Sequence, residues 1–192
     1  MMEIQPKETE KSERKTIVVN LIGAPGAGKS TLAAYTFAKL KMLDVNCELV
    51  TEWAKDATWE HNDIALSNQI YVFANQYFRI YRCANQVDVI ITDSPLVLSP
   101  YYNKNLNIHE TLCELVRKIN ANYTNLNYFV KRVKRYNPVG RNQTEDESNQ
   151  IAEELKKNME EFGLKYTEIY GDLTSADVII ETVTKILADR QK

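Results

Sequence analysis

The chain has 192 residues, of which 44% are hydrophobic and 26% charged, so collagen-like, prion-like and wholly disordered chains are excluded. Its 24 Lys and Arg residues and 26 Asp and Glu residues give a formal net charge of -2, which argues against a bulk electrostatic grip on nucleic acid. Three dispersed cysteines match neither a zinc site nor a secreted disulfide framework, and no apolar run is long enough to span a membrane. We therefore expect a soluble, cytoplasmic protein.

The chain divides into two parts by composition. Residues 1–15 mix charges of both signs with almost no apolar side chains, which predicts a disordered tail. In residues 16–192, runs of β-branched residues alternate with helical periodicity, which predicts one domain with a parallel five-stranded sheet in a three-layer α/β sandwich. The predicted strands are 16–22, 45–51, 87–92, 126–130 and 166–170. The predicted helices are 29–43, 62–85, 108–120, 145–162 and 175–187, the fourth beginning with a capping box formed by Thr144 and Glu147.

The strongest motif, GxxxxGK[ST], follows the first predicted strand and precedes the first predicted helix. Its residues are Gly23, Ala24, Pro25, Gly26, Ala27, Gly28, Lys29, Ser30 and Thr31. The glycines let backbone amides converge on phosphate oxygens, and the positive end of the helix dipole points at the same oxygens. Lys29 is expected to reach the β- and γ-phosphates, and the Ser30 hydroxyl is expected to bind Mg²⁺. The motif therefore predicts binding of a nucleoside triphosphate.

The residues after the third predicted strand favour one class of reaction. Asp93 can hold Mg²⁺ directly or through water, but Ser94 follows it, where motor ATPases usually carry a Glu that activates water. The chain also lacks the NKxD element with which GTPase switches recognise guanine; its nearest approach, Asn103-Lys104-Asn105-Leu106, has no acid. A phosphotransferase is favoured, because the acceptor then supplies the nucleophile.

Three further elements resemble the nucleoside and nucleotide kinases of the P-loop superfamily, especially the thymidylate kinase-like and nicotinamide riboside kinase-like groups. They are Glu52-Trp53-Ala54-Lys55, Asp93-Ser94-Pro95-Leu96 and the basic stretch 131–144. The resemblance covers about residues 16–187 and implies a P-loop NTPase fold of the nucleotide kinase type with a lid, and ATP and Mg²⁺ as cofactors. Ser94 stands where many such kinases carry an arginine, so an arginine for the transition state must come from the lid or be absent.

The predicted catalytic groups come from the ends of the predicted strands. Glu52 is the first choice for the base that accepts the proton of an acceptor hydroxyl; the alternative is an ordinary solvent-facing acid. Asp93 is the second candidate for that base but is preferred as the Mg²⁺ ligand. Arg132, Arg135 and Arg141 are predicted to neutralise the transferring phosphoryl group; the alternatives are a solvated basic face, or contact with the acids 145–147.

The predicted binding residues beyond the phosphate loop belong to two groups. Glu52, Trp53, Gln76 and Arg79 are predicted to contact the acceptor, although aromatic helices such as 62–85 more often form plain core. By analogy with related kinases, Gly171 and Asp172 are expected beside the adenine ring.

The sequence thus predicts a kinase that transfers the γ-phosphoryl group of ATP to a nucleoside- or nucleotide-like small molecule. Two alternatives stay open: a kinase that acts on a hydroxymethyl pyrimidine in phage DNA, and a P-loop ATPase or regulatory nucleotide-binding module that is not a kinase. A homodimer is left open, and no membrane partner is expected.

Overall fold

The computed structural model describes residues 15–137 and 144–191. Its strands are β1 (Ile17–Ile22), β2 (Cys47–Val50), β3 (Val89–Thr92), β4 (Thr124–Lys131) and β5 (Thr167–Tyr170). Its α-helices are α1 (Lys29–Met42), α2 (Trp53–Trp59), α3 (Asp63–Ser67), α4 (Gln69–Tyr81), α5 (Ser99–Tyr102), α6 (His109–Asn120), α7 (Glu145–Phe162) and α8 (Thr174–Asp189). Two short 3₁₀ helices, Leu96–Leu98 and Leu106–Ile108, precede α5 and α6.

The five strands form one parallel sheet in the order β2-β3-β1-β4-β5. The central strand β1 pairs with β3 through Ile17 and Val89, and with β4 through Ile17 and Thr124. Because every strand runs in the same direction, the turns that follow the five strands meet at one edge of the sheet. The predicted five-stranded parallel α/β fold is confirmed.

Alternating side chains of β1 build a core on each face of the sheet. Ile17, Val19 and Leu21 pack in the cluster that includes α1 and α8, whereas Val18 and Ile22 pack in the cluster that includes α4, α6 and α7. Asn20 is the buried polar exception, and its amide nitrogen donates hydrogen bonds to Asn125 Oδ1 at 3.0 Å and Asn127 Oδ1 at 2.9 Å. Both faces are therefore covered by helices, as the three-layer prediction requires.

One predicted helix differs from the structure, and some short helices were not predicted. The helix predicted over 62–85 is divided into α3 and α4, because Asn62 and Asn68 each cap a new helix: their side-chain oxygens accept from the amides of Ala65 and Tyr71. Helix α2, directly before them, was not predicted. The capping box of Thr144 and Glu147 at the start of α7 is confirmed. Among the described helices, none combines the length and the apolar character that crossing a membrane requires.

Candidate active site

The phosphate loop joins β1 to α1. Gly28 caps α1 with a φ of 102°, a left-handed conformation in which glycine is favoured. Lys29 is the first residue of α1, and its Nζ donates to the carbonyl oxygens of Gly23 at 2.7 Å and Ala24 at 3.1 Å. The ammonium group therefore folds back over the loop, while Ser30 and Thr31 are exposed on the first turn of α1. The glycine-rich turn and the helix N-terminus match the predicted motif, and the contact of Lys29, Ser30 and Thr31 with a triphosphate stays a prediction.

The turn after β5 packs against the phosphate loop. A Cβ on Gly171 would lie 2.0 Å from the carbonyl oxygen of Ala27, so only glycine fits there without a shift of the loop. The Asp172 carboxylate accepts from the Ser175 amide at 3.0 Å and from Thr174 Oγ1 at 2.8 Å, and these bonds lower its pKa. Both residues thus have structural contacts, and their contact with adenine stays a prediction.

Asp93 follows β3 and is 7% exposed. Its Oδ1 is buried and has no hydrogen-bond partner within the described chain. Loss of hydration raises the pKa of this carboxyl group, although Lys29 and backbone amides act in the opposite direction. A buried carboxylate oxygen without a partner is costly, which marks Asp93 as a group held ready for a ligand.

The oxygen donors near the phosphate loop fit Mg²⁺. The free Asp93 Oδ1 and the Ser30 hydroxyl, on the first turn of α1, are hard donors of the kind that this ion prefers. In the ranges 15–137 and 144–191 there is no group of three or more His, Cys, Asp and Glu side chains that could hold a metal. Mg²⁺ needs no such group, because it commonly takes one or two protein ligands together with water and substrate phosphates.

Glu52 lies at the N-cap of α2, directly after Thr51 in the short turn that follows β2. Acids at this position often accept from helix amides, but the Glu52 side chain makes no such bond. Instead, the side-chain oxygen of Gln76 accepts from the Trp53 amide at 2.8 Å. Burial raises the pKa of the Glu52 carboxyl group; the charge of Lys29 lowers it, and that of Asp93 raises it further. Glu52, Lys29 and Asp93 therefore act on one another electrostatically.

Two residues of α4 hold the turn that carries Glu52. Gln76 is buried, and its amide nitrogen donates to the Thr51 carbonyl at 3.4 Å. Arg79 donates to Thr51 through Nη1, at 3.3 Å to the carbonyl and 3.2 Å to Oγ1, and forms an ion pair with Asp56 through Nη2. Both side chains make bonds within the protein, and their direct contact with an acceptor stays a prediction.

Aromatic side chains border the Glu52 turn. The Trp53 ring meets Tyr71 edge to face, with centroids 5.4 Å apart. Tyr102, at the end of α5, was not predicted as a site residue; burial and then the charge of Glu52 raise the pKa of its phenol to about 12. No motif marks it, since its position depends on how the chain folds back after Asp93. Its phenol stays neutral and can donate a hydrogen bond at physiological pH.

The basic segment, residues 132–137, follows β4, which lies on the other side of β1 from β2 and β3. Arg132 reaches the first turns of α7, where Nη2 contacts Asn149 and forms an ion pair with Glu145 at 3.2 Å. Its Nη1 is buried without a hydrogen-bond partner in the described residues. Arg135 is exposed, and Arg141 lies outside the described residues. The contact with Glu145 matches the ion pairing that the sequence left open as an alternative.

Helix α7 also contacts the phosphate loop directly. The Ser148 hydroxyl is buried and donates to the Pro25 carbonyl at 2.7 Å. On the same helix, Glu154 accepts from the Tyr101 hydroxyl at 2.7 Å. The helix that begins after the basic segment is therefore bonded both to the phosphate loop and to α5, which follows Asp93.

A family model described as an AAA domain matches residues 18–175. The chain belongs to this AAA domain family. A search of curated protein sequences finds no match. Among solved structures, the fold is similar to that of the NadR protein in complex with NAD and AMP-PNP, with a TM-score of 0.67 and 19% identity over 88% of this chain and 50% of NadR. This chain thus spans about half the length of NadR.

Two further structures share this fold. The NadR protein in complex with NR gives a TM-score of 0.64 and 20% identity, covering 88% of this chain and 49% of NadR. Thymidylate kinase from Ehrlichia chaffeensis gives a TM-score of 0.57 and 13% identity, covering 88% of this chain and 98% of the kinase. The resemblance to the P-loop nucleotide kinase superfamily is confirmed at the level of the fold.

Proposed function

We propose that the chain is a phosphotransferase that moves the γ-phosphoryl group of ATP, with Mg²⁺, to a nucleoside- or nucleotide-like acceptor. The observation that carries this proposal is the buried Asp93 Oδ1 without a partner in the described residues, at the same edge of the sheet as the phosphate loop and Glu52, where the Lys29 charge acts on both acids. One site would then hold a cation for the donor phosphates (Lys29), a metal ligand (Asp93) and a base (Glu52).

Each residue has a distinct task in the proposed reaction. Lys29 and the amides at the start of α1 bind the β- and γ-phosphates, and Asp93 and Ser30 would hold Mg²⁺, which neutralises phosphate charge when bound. Glu52 accepts the proton of the attacking hydroxyl group. Burial favours the protonated form of Glu52, so its conjugate base is stronger than that of an ordinary Glu.

Arg132 is the described candidate for stabilising the transferring phosphoryl group. Its Nη1 is buried and unpartnered, while Nη2 is held by Asn149 and Glu145 on α7. A guanidinium group fixed at one end and free at the other suits a planar contact with phosphoryl oxygens. Ser94 offers no arginine after Asp93, so this task falls to the basic segment.

The similar structures support the choice of ligands. NadR was crystallised with NAD and AMP-PNP and with NR, and one similar structure is a thymidylate kinase. Those ligands belong to proteins with identities of 13–20% to this chain, so they support the proposal and leave the acceptor open.

An acceptor screen tests the proposed activity. Purified protein is incubated with ATP, Mg²⁺ and one nucleoside, nucleotide or hydroxymethyl pyrimidine DNA at a time, and ADP release and acceptor phosphorylation are measured. We expect one acceptor to raise ADP release sharply and Lys29→Ala to abolish transfer without loss of fold. Lys39→Ala, on the same helix, is the control and should retain transfer. Transfer by a folded Lys29→Ala protein would refute the site.

A second candidate function is a regulatory module whose nucleotide hydrolysis is slow. It is favoured by Ser94, because the site lacks a carboxylate directly after Asp93 to activate water. ATP binding with slow hydrolysis that no acceptor accelerates would support this candidate over the kinase. Phosphorylation of DNA alone would support the DNA kinase.

A further inference from the structure

Helix α4 is apolar on the side that faces solvent. Its inner side carries the buried residues Phe73, Gln76 and Ile80. The opposite side carries five exposed apolar or aromatic residues at helical spacing: Ile70, Tyr71, Ala74, Phe78 and Tyr81. A surface helix ordinarily has polar side chains there, and a helix that is apolar all round is normally buried. These five residues, which we call the α4 stripe, are therefore expected to have a partner.

The α4 stripe carries no charge. The single charged residue of α4 is Arg79, whose guanidinium group is bonded to Asp56 and Thr51. A nucleic acid needs cations that bind its phosphates, and helices that lie on membranes carry Lys and Arg beside their apolar side. The centres of protein interfaces, in contrast, are rich in aromatic residues and poor in charged ones. The chemistry of the stripe therefore matches a protein surface.

The exposed area of the stripe is what two copies of the chain would need for a stable contact. Its four large side chains are between 42% and 63% exposed. Side chains of this size leave about 500 Å² of surface on one copy, so two copies would bury about 1,000 Å², the lower bound for a specific interface. Residues 1–14 of the same chain contain few apolar side chains with which to cover such an area.

The large and small side chains of the stripe are complementary to a second copy of themselves. When two α4 helices lie antiparallel about a two-fold axis level with position 76, Ala74 lies opposite Phe78 of the partner subunit. The same symmetry places Tyr71 opposite Tyr81 of the partner subunit. Ala74 leaves room for the larger ring, and the contact occurs twice because a two-fold axis makes both halves of the interface identical. Packed helices fit together in this way, with large side chains seated in grooves.

We propose that the chain forms a two-fold symmetric dimer in which the α4 stripes of two copies pack antiparallel, with Ala74 opposite Phe78 of the partner subunit. This inference does not depend on the proposed reaction. On the other sides of α4, Gln76 and Arg79 bond to the turn that carries Glu52. Each subunit therefore keeps its own candidate active site.

Sedimentation velocity on the full chain, from about 1 to about 100 µM, tests the dimer. We expect the mass of two chains at the higher concentrations. Phe78→Glu should raise the dissociation constant by about 30-fold or more, because it places a charge against an apolar surface, while circular dichroism shows an intact fold. Val178→Glu, at an exposed apolar residue of α8, is the matched control and should leave the dimer unchanged. A wild-type monomer at every concentration, or a dimer that Phe78→Glu does not weaken, overturns the inference.

Mixing two variants tests the pairing of residues. Ala74→Lys alone should also weaken the dimer, because the added side chain fills the space that Phe78 of the partner subunit occupies. In an equal mixture of Ala74→Lys and Phe78→Glu proteins, one contact joins the new ammonium and carboxylate groups and the other keeps the original pair. We expect this mixture to recover much of the lost association. No recovery overturns the antiparallel pairing.

Vesicles of phosphatidylcholine and phosphatidylglycerol test a membrane as the alternative partner of the stripe. We expect no binding by the wild-type chain, since the stripe has no adjoining cations on α4. Vesicle binding by a monomeric wild-type chain, abolished by Phe78→Glu, overturns the dimer and assigns the stripe to a lipid surface.

Discussion

The two sides of the phosphate loop differ in how their charged side chains are paired. On one side, which we call the acceptor half, are the turns after β2 and β3 together with α2; there Glu52 and Asp93 lose hydration, and Asp93 Oδ1 has no partner within the described structure. On the other side, which we call the donor half, β4, β5 and α7 carry charges that largely compensate one another. Glu168 pairs with Lys131 at 2.9 Å and with Lys156 at 3.0 Å.

The difference separates charges that maintain structure from charges that await a ligand. Exposed pairs such as Lys131 and Glu168 cost little to keep, since water screens them. A buried carboxylate without a partner is costly, and proteins keep such groups mainly where function needs them. Within the donor half, Arg132 is the exception, because its Nη1 is also buried without a partner in the described residues. Asp93 and Arg132 are both among the groups to which we assign a task in the proposed reaction.

The largest expected effect is that of Arg132 on phosphoryl transfer. Arg132→Ala should lower kcat and kcat/KM together by about 10³-fold, since one arginine on the transition state is worth this much. Arg132→Lys should restore little, because an ammonium group cannot make the planar contact. Steady-state kinetics with the identified acceptor measure both. Lys157→Ala, at an exposed pair on α7, should be neutral. If Arg132→Ala changes KM and leaves kcat near normal, the basic segment binds an anionic substrate and does not stabilise the transition state.

Removal of the base should have the next largest effect. Glu52→Gln should lower kcat by about 10²-fold and leave ATP affinity nearly unchanged. The base must be unprotonated, so wild-type kcat/KM should fall as the pH falls through the raised pKa of Glu52, at a higher pH than for an ordinary Glu. The Glu52→Gln protein should not show this fall of kcat/KM at low pH. If the folded Glu52→Gln protein loses ATP binding, Glu52 contacts the phosphoryl donor and is not the base for the acceptor.

The bond between α7 and the phosphate loop should have a smaller effect. Ser148→Ala removes the hydroxyl group that donates to the Pro25 carbonyl. One such bond is worth about 1 kcal/mol, so we expect the KM for ATP to rise about 5-fold with little change in kcat. Ser67→Ala is the control, because its hydroxyl bonds only to the nearby Ile64 carbonyl. An unchanged KM would mean that α7 does not position the loop.

The smallest expected effect is on stability. The pKa of Asp93 is raised in the folded state, so folding is favoured by protonation and wild-type stability falls as pH rises through the interval from the ordinary to the raised pKa. Asp93→Asn removes this loss and should raise the free energy of unfolding by about 1 kcal/mol above that interval. Thermal unfolding at several pH values, with exposed Asp177→Asn as control, measures it. Destabilisation at high pH would show that the carboxylate stabilises the fold.

The features that the sequence predicts correctly are those encoded by residues close together in the chain. The strand before the phosphate loop, its motif and the following helix are all local features, and Glu52 and Asp93 follow strands whose parallel pairing brings their ends together. Proximity of these two acids could therefore be inferred before any coordinates were known. Their assigned tasks stay predictions.

Other features depend on contacts between distant segments. Gln76 and Arg79 look like pocket residues in the sequence, but they bond to Thr51, Trp53 and Asp56 because α4 packs beside the turn after β2. No local pattern encodes that placement. The division between α3 and α4 does have a local signal in Asn68, a residue that favours helix caps, but the apolar periodicity on both sides outweighs it.

The anchoring of the Glu52 turn by α4 has a consequence for redesign. Gln76 and Arg79 hold the backbone around Thr51, and Asp56 is the exposed residue of α2 that shares in this anchoring, through its ion pair with Arg79. Trp59 and Glu60 lie on the exposed surface at the end of α2. They can be randomised in a library that seeks new acceptors while the base keeps its place. The residues that position Glu52 are therefore distinct from the exposed residues that can be varied to fit a new acceptor.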